Sequence, residues 1–89
     1  MEKLKTKYEK ELQALKPWDE VQSTRMLYAG ILAGYSFIET AGHGYLVIPK
    51  ENKGFKTAEK ICEYGFKGKH AVYLEEDCEI STFEQVEDI

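Results

Sequence analysis

Residues 35–49 read Tyr35-Ser-Phe-Ile-Glu-Thr-Ala41-Gly42-His43-Gly44-Tyr45-Leu46-Val47-Ile48-Pro49, two apolar runs around a Gly-His-Gly centre. Tyr35 to Ala41 is rich in aromatic and β-branched types and predicts a strand. Tyr45 to Ile48 predicts its partner, and Pro49, which lacks an N–H for the ladder, ends the pairing. A tight connection between paired strands calls for positive φ, so Gly42 and Gly44 are expected to supply it. An antiparallel pair therefore stands at the centre of the fold.

Working outward, helical spacing appears on both sides. Leu4, Tyr8, Leu12 and Leu15 fall on one face of a helix over 3–16, which Pro17 stops because it cannot continue the hydrogen-bond ladder. Such a helix is marginal alone, so its stripe must dock on the body of the chain or on a second copy. Trp18, Val21 and Met26-Leu27-Tyr28 fit one or two short strands or irregular turns, and Gly30 and Gly34 bracket a tight connection. After the polar loop Lys50–Lys56, the residues Phe55, Ala58, Ile61 and Cys62 recur at helical spacing. They predict a helix over 56–64 with Gly65 as its left-handed terminus. Ala71 to Leu74 predicts a strand. Ser81-Thr82-Phe83-Glu84 matches a capping box that opens a final helix over 82–88, with Ile80, Phe83 and Val86 inward. The fold class is α+β: a small antiparallel sheet flanked by an N-terminal amphipathic helix, a middle helix and a short C-terminal helix. Residues 1–16 form the helix and 17–89 a single small domain.

Length and composition narrow the function classes. Eighty-nine residues make one small domain with a thin core. Hydrophobic residues at 43% and aromatics at 12% describe an ordered chain, with no run long enough to span a bilayer. The charged start Met1-Glu2-Lys3-Leu4-Lys5 does not read as a signal peptide. Cys62 and Cys78 match neither a disulfide framework nor metal-ligand spacing, and both are expected to pack.

The formal charge of −4 conceals an uneven layout. Residues 1–16 carry five Lys against three Glu, and residues 17–49 carry Arg25 against Asp19, Glu20 and Glu39. Residues 50–70 carry six Lys against three Glu, whereas residues 71–89 carry seven acids and no base. That acidic end is either a solvated terminus or a patch that docks on a basic partner and repels nucleic acid. Lys50, Lys53, Lys56, Lys60, Lys67 and Lys69 interleave with Tyr64, Phe66 and His70, a mixture used on nucleic acid but equally on solvated surfaces.

No Gly-rich phosphate loop, Ser/His/Asp arrangement or Cys/His metal pattern occurs, so no catalytic residue, metal site or cofactor is assigned. His43 is a candidate acid/base or contact residue at a turn. Glu75-Glu76-Asp77 at a strand exit would suit a divalent metal if its carboxylates converged, or would complement a following helix. Cys78, among acids, is a poor nucleophile.

Four blocks occur in order: Pro17-Trp18-Asp19-Glu20-Val21-Gln22, Ala29-Gly30-Ile31, Ile38-Glu39-Thr40-Ala41-Gly42-His43-Gly44, and Tyr73-Leu74-Glu75-Glu76-Asp77-Cys78-Glu79. Over residues 17–80 that order resembles a small uncharacterised domain of phage and plasmid accessory proteins. Its motifs are PWG-x-VQ, ST-x-(S/G)HGG and WYEEDC-(D/E)-W. Asp19 stands where the pattern has Gly, Tyr45 where it has the second Gly of the turn, and Ile80 where it has an aromatic residue. The N-terminal helix reads as an addition to that pattern. The resemblance implies a mobile-element protein in the cytoplasm of a bacterial host.

Three functional expectations result. The leading one is a non-enzymatic protein that binds and inhibits a host defence protein, a nuclease or its nucleoprotein complex, in the manner of an anti-CRISPR. It would act through Glu75, Glu76, Asp77 and Glu79, reinforced by Trp18, Tyr73 and His43, with no direct nucleic-acid or membrane contact. The second is a small metal-dependent hydrolase using His43 and the Glu75, Glu76, Asp77 cluster, a reading that fails if His43 lies more than about 10 Å from all three. The third is an oligomeric module that binds a small nucleotide between copies, and a homodimer fits that reading.

Overall fold

The apolar runs become eight elements in the computed structural model, which describes residues 6–87. Helix α1 is Lys7–Leu15, followed by strands β1 (Val21–Met26), β2 (Ser36–Thr40) and β3 (Gly44–Pro49). Helix α2 (Phe55–Ile61), strands β4 (Phe66–Lys67) and β5 (Ala71–Glu75), and helix α3 (Ile80–Glu87) complete the chain. Leu4 and the end of the expected last helix, at residue 88, lie outside the described residues.

The sheet runs β1-β2-β3-β5-β4 with every neighbouring pair antiparallel, so the α+β architecture read from the sequence is the one observed. In the central pair, Ile38 registers with Tyr45 and Phe37 with Leu46. Successive strand residues point to opposite faces. Tyr45, Val47, Ala71 and Tyr73 pack with Ile38 and Leu12 of α1 on one face. Leu46, Ile48, Val72 and Leu74 pack with Ala58, Cys62 and Phe83 on the other, beneath α2 and α3. Both faces of β3 and β5 are covered, which is why their sequences show no polar alternation. Helix α1 is thus one of three layers: Leu12 is 0% exposed.

Several local expectations are corrected. Neither Gly42 nor Gly44 has positive φ; that conformation belongs to Gly30 and Gly34 in the β1–β2 loop. Gly44 is needed for space, since a Cβ there would overlap the Phe37 ring. The middle helix ends at Ile61, with Cys62 as an extended cap. Gly65 is no left-handed terminus: a Cβ at that position would overlap the Tyr73 carbonyl. Ser81 caps nothing because α3 already begins at Ile80, and Val86 stays 40% exposed rather than inward. The two-residue strand β4 has no signal in the sequence, since a pairing that short carries no periodicity.

Candidate functional site

Antiparallel topology brings four connections to one end of the sheet: residues 16–20, 41–43, 62–65 and 76–79. They carry Trp18, His43, Tyr64, Glu76 and Asp77. Trp18 is 73% and Tyr64 65% exposed, unusual for rings of that size. Every exposed Asp, Glu, Lys or Arg on these connections is an acid: Glu20, Glu63, Glu76 and Asp77. The connections at the opposite end, 27–35, 50–54 and 68–70, expose Lys50, Lys53 and Lys69 against Glu51. The charge asymmetry of the sequence therefore becomes a spatial one, with an acidic, aromatic end and a basic end.

Beneath the acidic end lies a hydrogen-bonded cluster centred on Asp19. Lys16, 2% exposed at the end of α1, donates to Asp19 Oδ2 at 2.7 Å and also to the Tyr45 hydroxyl. Thr40 Oγ1 donates to the same carboxylate at 2.7 Å, and the Gly42 N–H donates to Oδ1 at 3.0 Å. His43 places Nδ1 3.3 Å from Asp19 Oδ2 and Nε2 4.0 Å from Glu75 Oε2. Burial pushes the Asp19 carboxyl up, but the bonds from Lys16, Thr40, His43 and Gly42 outweigh it and hold the group well below the usual carboxylate range. Burial likewise opposes the charge on Lys16, and the bonds to Asp19 and Tyr45 raise its ammonium above the ordinary lysine value. The Lys16 Nζ also lies 4.5 Å from the Tyr45 ring centre and 5.6 Å from that of Phe66.

Other acids are turned inward. Glu79, 3% exposed, accepts backbone N–H bonds from Glu63, Tyr64, Gly65 and Glu75, tying the α2–β4 connection to the start of α3. Glu75 Oε1 accepts from Asp77 at 2.9 Å and Cys78 at 3.1 Å, closing the turn after β5. Glu11 of α1 accepts from the Lys69 and His70 amides and from the Tyr73 hydroxyl at 2.7 Å. Burial, followed by the Glu11 contact, raises the Tyr73 phenol far above its ordinary value.

The expected contact residues separate accordingly. Trp18, His43, Glu76 and Asp77 are exposed on the acidic end. Tyr73 is 0% exposed, so it is corrected from surface contact to core, with its hydroxyl committed to Glu11. Glu75 and Glu79 are corrected from docking acids to acceptors of backbone N–H groups. His43 does lie close to Glu75. Among the described residues, however, no group of three or more His, Cys, Asp or Glu is arranged to hold a metal ion. The aromatic–lysine mixture of 50–70 is divided, with Tyr64 at the acidic end and Lys50, Lys53 and Lys69 at the basic one. Both cysteines are free, and burial followed by Glu79 pushes the Cys62 thiol up to about 11. No helix among the described residues is long and apolar enough to cross a membrane.

Sequence reasoning missed Lys16, Thr40 and Tyr45, and it placed Tyr64 with the lysines rather than with the acids. Lys16 and Asp19 stand three apart across Pro17, a spacing that could have suggested an ion pair, although nothing in it signals burial. Compared with protein-family models, curated proteins and solved structures, the chain shows no significant match.

Proposed function

We propose that this protein is a mobile-element accessory protein that binds a basic surface of a host defence nuclease, or of its nucleoprotein complex, and inhibits it stoichiometrically in the bacterial cytoplasm. The observation that carries this reading is the collection of exposed Trp18 and Tyr64 with Glu63, Glu76 and Asp77 on one end of the sheet. Exposed aromatics supply contact area, and a single sign of charge speeds encounter with an oppositely charged partner. The acids that hold the turns in place from within, Asp19, Glu75 and Glu79, make that end a preorganised surface, which lowers the ordering cost of binding.

The setting rests on the motif resemblance. Two departures from its pattern, Asp19 and Tyr45, meet at Lys16, the residue that caps the end of α1. A pattern lacking these side chains would leave that buried ammonium unpaired, so helix and departures form one unit.

The test expresses the chain in bacteria carrying a panel of nuclease-based defence systems and measures phage plating. Wild-type protein is expected to restore plating against at least one system. The double reversal E76K/D77K is expected to abolish that protection with a melting temperature within about 3 °C of wild type, because exposed substitutions shift stability by only about 0.5 kcal/mol. Protection that survives the reversal would sink the docking surface.

The bracketing of His43 by Asp19 and Glu75 favours a second reading, acid–base chemistry at Nε2 with Asp19 orienting the ring. It requires His43→Gln to abolish protection while E76K/D77K retains it.

A further inference from the structure

The two edges of the sheet are built differently. Strand β4 is two residues long and exposes Lys67, which makes it too short to template pairing. Strand β1 is six residues long, and all but Val21 are exposed. It contains no Pro or Lys, and its one charge, Arg25, lies 3.1 Å from Glu39 Oε1 on the neighbouring strand. Only its first turn is closed. The Val21 N–H donates to Gln13 Oε1 at 2.7 Å, and the register shifts at Gln22. Among the described residues nothing pairs with the outer edge of Ser23 to Met26, which is followed by exposed Tyr28 and Ile31.

We propose that β1 pairs antiparallel with β1 of a second copy, joining the two sheets into one. The strand itself selects the register. When identical antiparallel strands are related by a two-fold axis, a residue must lie opposite itself, because opposed side chains share a face. Centring on Arg25 would set two guanidinium groups against each other. Centring on Ser23 would run the pairing into the bulge and the end closed by Gln13. Centring on Met26, the last residue of β1, would run the pairing off the strand into the β1–β2 loop. Thr24 is the remaining centre, and it places Ser23 opposite the partner's Arg25.

Charge complementarity favours a second copy as the occupant. Ser23 also registers with Glu39 on β2, so a row across the joined sheet reads Glu39, Ser23, the partner's Arg25. The short serine leaves room for the partner's guanidinium to reach toward Glu39, and symmetry repeats the arrangement on the other side. Two exposed ion pairs thereby become one alternating four-charge group without like charges opposed. Thr24 points to the other face, where its hydroxyl bonds Glu9 Oε2 at 2.6 Å. The same register carries the loop holding Tyr28, 85% exposed, toward the partner's α1–β1 connection.

The experiment is sedimentation of the full chain from about 10 μM to 1 mM, a range that brackets weak association. Wild-type protein is expected to dimerise reversibly. Thr24→Lys sets two ammonium groups on the symmetry axis and is expected to weaken dimerisation roughly fivefold. Its fold, checked by circular dichroism, is kept because the new lysine can pair with Glu9. Arg25→Glu is expected to abolish the dimer, and the exchange R25E/E39R to restore it. Hydrogen exchange at the Thr24 and Met26 amides, which face away from β2, should slow as concentration rises. A chain that stays monomeric throughout overturns the proposal, as does Thr24→Lys dimerising like wild type. A dimer that leaves those amides unprotected places the interface elsewhere. None of these readouts depends on the host partner, so this surface can fail while the acidic end still functions.

Discussion

Asp19 shows how much can depend on one side chain. It is 7% exposed and accepts bonds from Lys16, Thr40 and the Gly42 amide, with His43 also in reach. Asp19→Asn preserves the shape but leaves the Lys16 ammonium buried without its counter-charge. Breaking a buried pair in this way is expected to cost about 3 kcal/mol, measured by urea denaturation at neutral pH. The pH dependence has a definite sign. The folded carboxyl sits below its unfolded value, so its contribution is complete above about pH 4 and is lost as pH falls through the folded value. Wild-type stability is therefore expected to fall on acidification below about pH 4, more steeply than that of Asp19→Asn. Three residues from Asp19 in sequence, Lys16 had a spacing that could have suggested an ion pair. Its burial was not legible, because burial comes from Tyr45 and Phe66, which are distant in sequence.

At the scale of the element, two stretches share one signature and only one uses it. Thr6-Lys7-Tyr8-Glu9 and Ser81-Thr82-Phe83-Glu84 both fit a capping box. In the structure Thr6 and Glu9 form it reciprocally: the Glu9 N–H donates to Thr6 Oγ1 at 3.1 Å and the Thr6 N–H to Glu9 Oε1 at 2.9 Å. Ser81 lies inside α3, because the turn bonds Glu79 N–H to Glu75 carbonyl and Phe83 N–H to Glu79 carbonyl start the helix earlier. Thr6→Ala is accordingly expected to cost about 1 kcal/mol. Ser81→Ala is expected to change stability by less than about 0.5 kcal/mol. Thermal melts of the two variants distinguish them. A pattern of side chains proposes a cap, and the turn preceding it decides whether the backbone begins there.

For the whole molecule, the decisive fact is that α1 forms one layer of a three-layer fold. It is tied to the sheet by Leu12 in the core, Glu11 on the 68–70 turn and Lys16 beneath the acidic end. Deleting residues 1–16 would uncover Tyr45, Val47, Ala71 and Tyr73, so the remaining chain is expected to lose its cooperative thermal transition. Leu12→Ala, which removes the most buried side chain of that helix, is expected to cost about 3 kcal/mol in the intact chain. Circular dichroism melts check both. At this scale, too, the acids of 75–79 divide into those that hold turns and those that face solvent. Proximity in sequence placed Glu75, Glu76, Asp77 and Glu79 together, whereas packing sent two inward and two outward.

Helical periodicity and runs of aromatic and β-branched residues, with Pro17 and Pro49 as stops, determined most elements and the α+β class, because they express local backbone preference and which face of a helix is apolar. The unbroken apolar runs of β3 and β5 fit strands covered on both sides, a cover that only the packing of α1, α2 and α3 supplied. The sequence also determined the charge segregation. Only the tertiary structure decided what those charges do, since exposure and hydrogen-bond partners depend on elements far apart in the chain. It buried Lys16, Asp19, Glu75 and Glu79 and left Trp18, Tyr64, Glu76 and Asp77 on one outer end, because antiparallel strands return alternate connections to the same side.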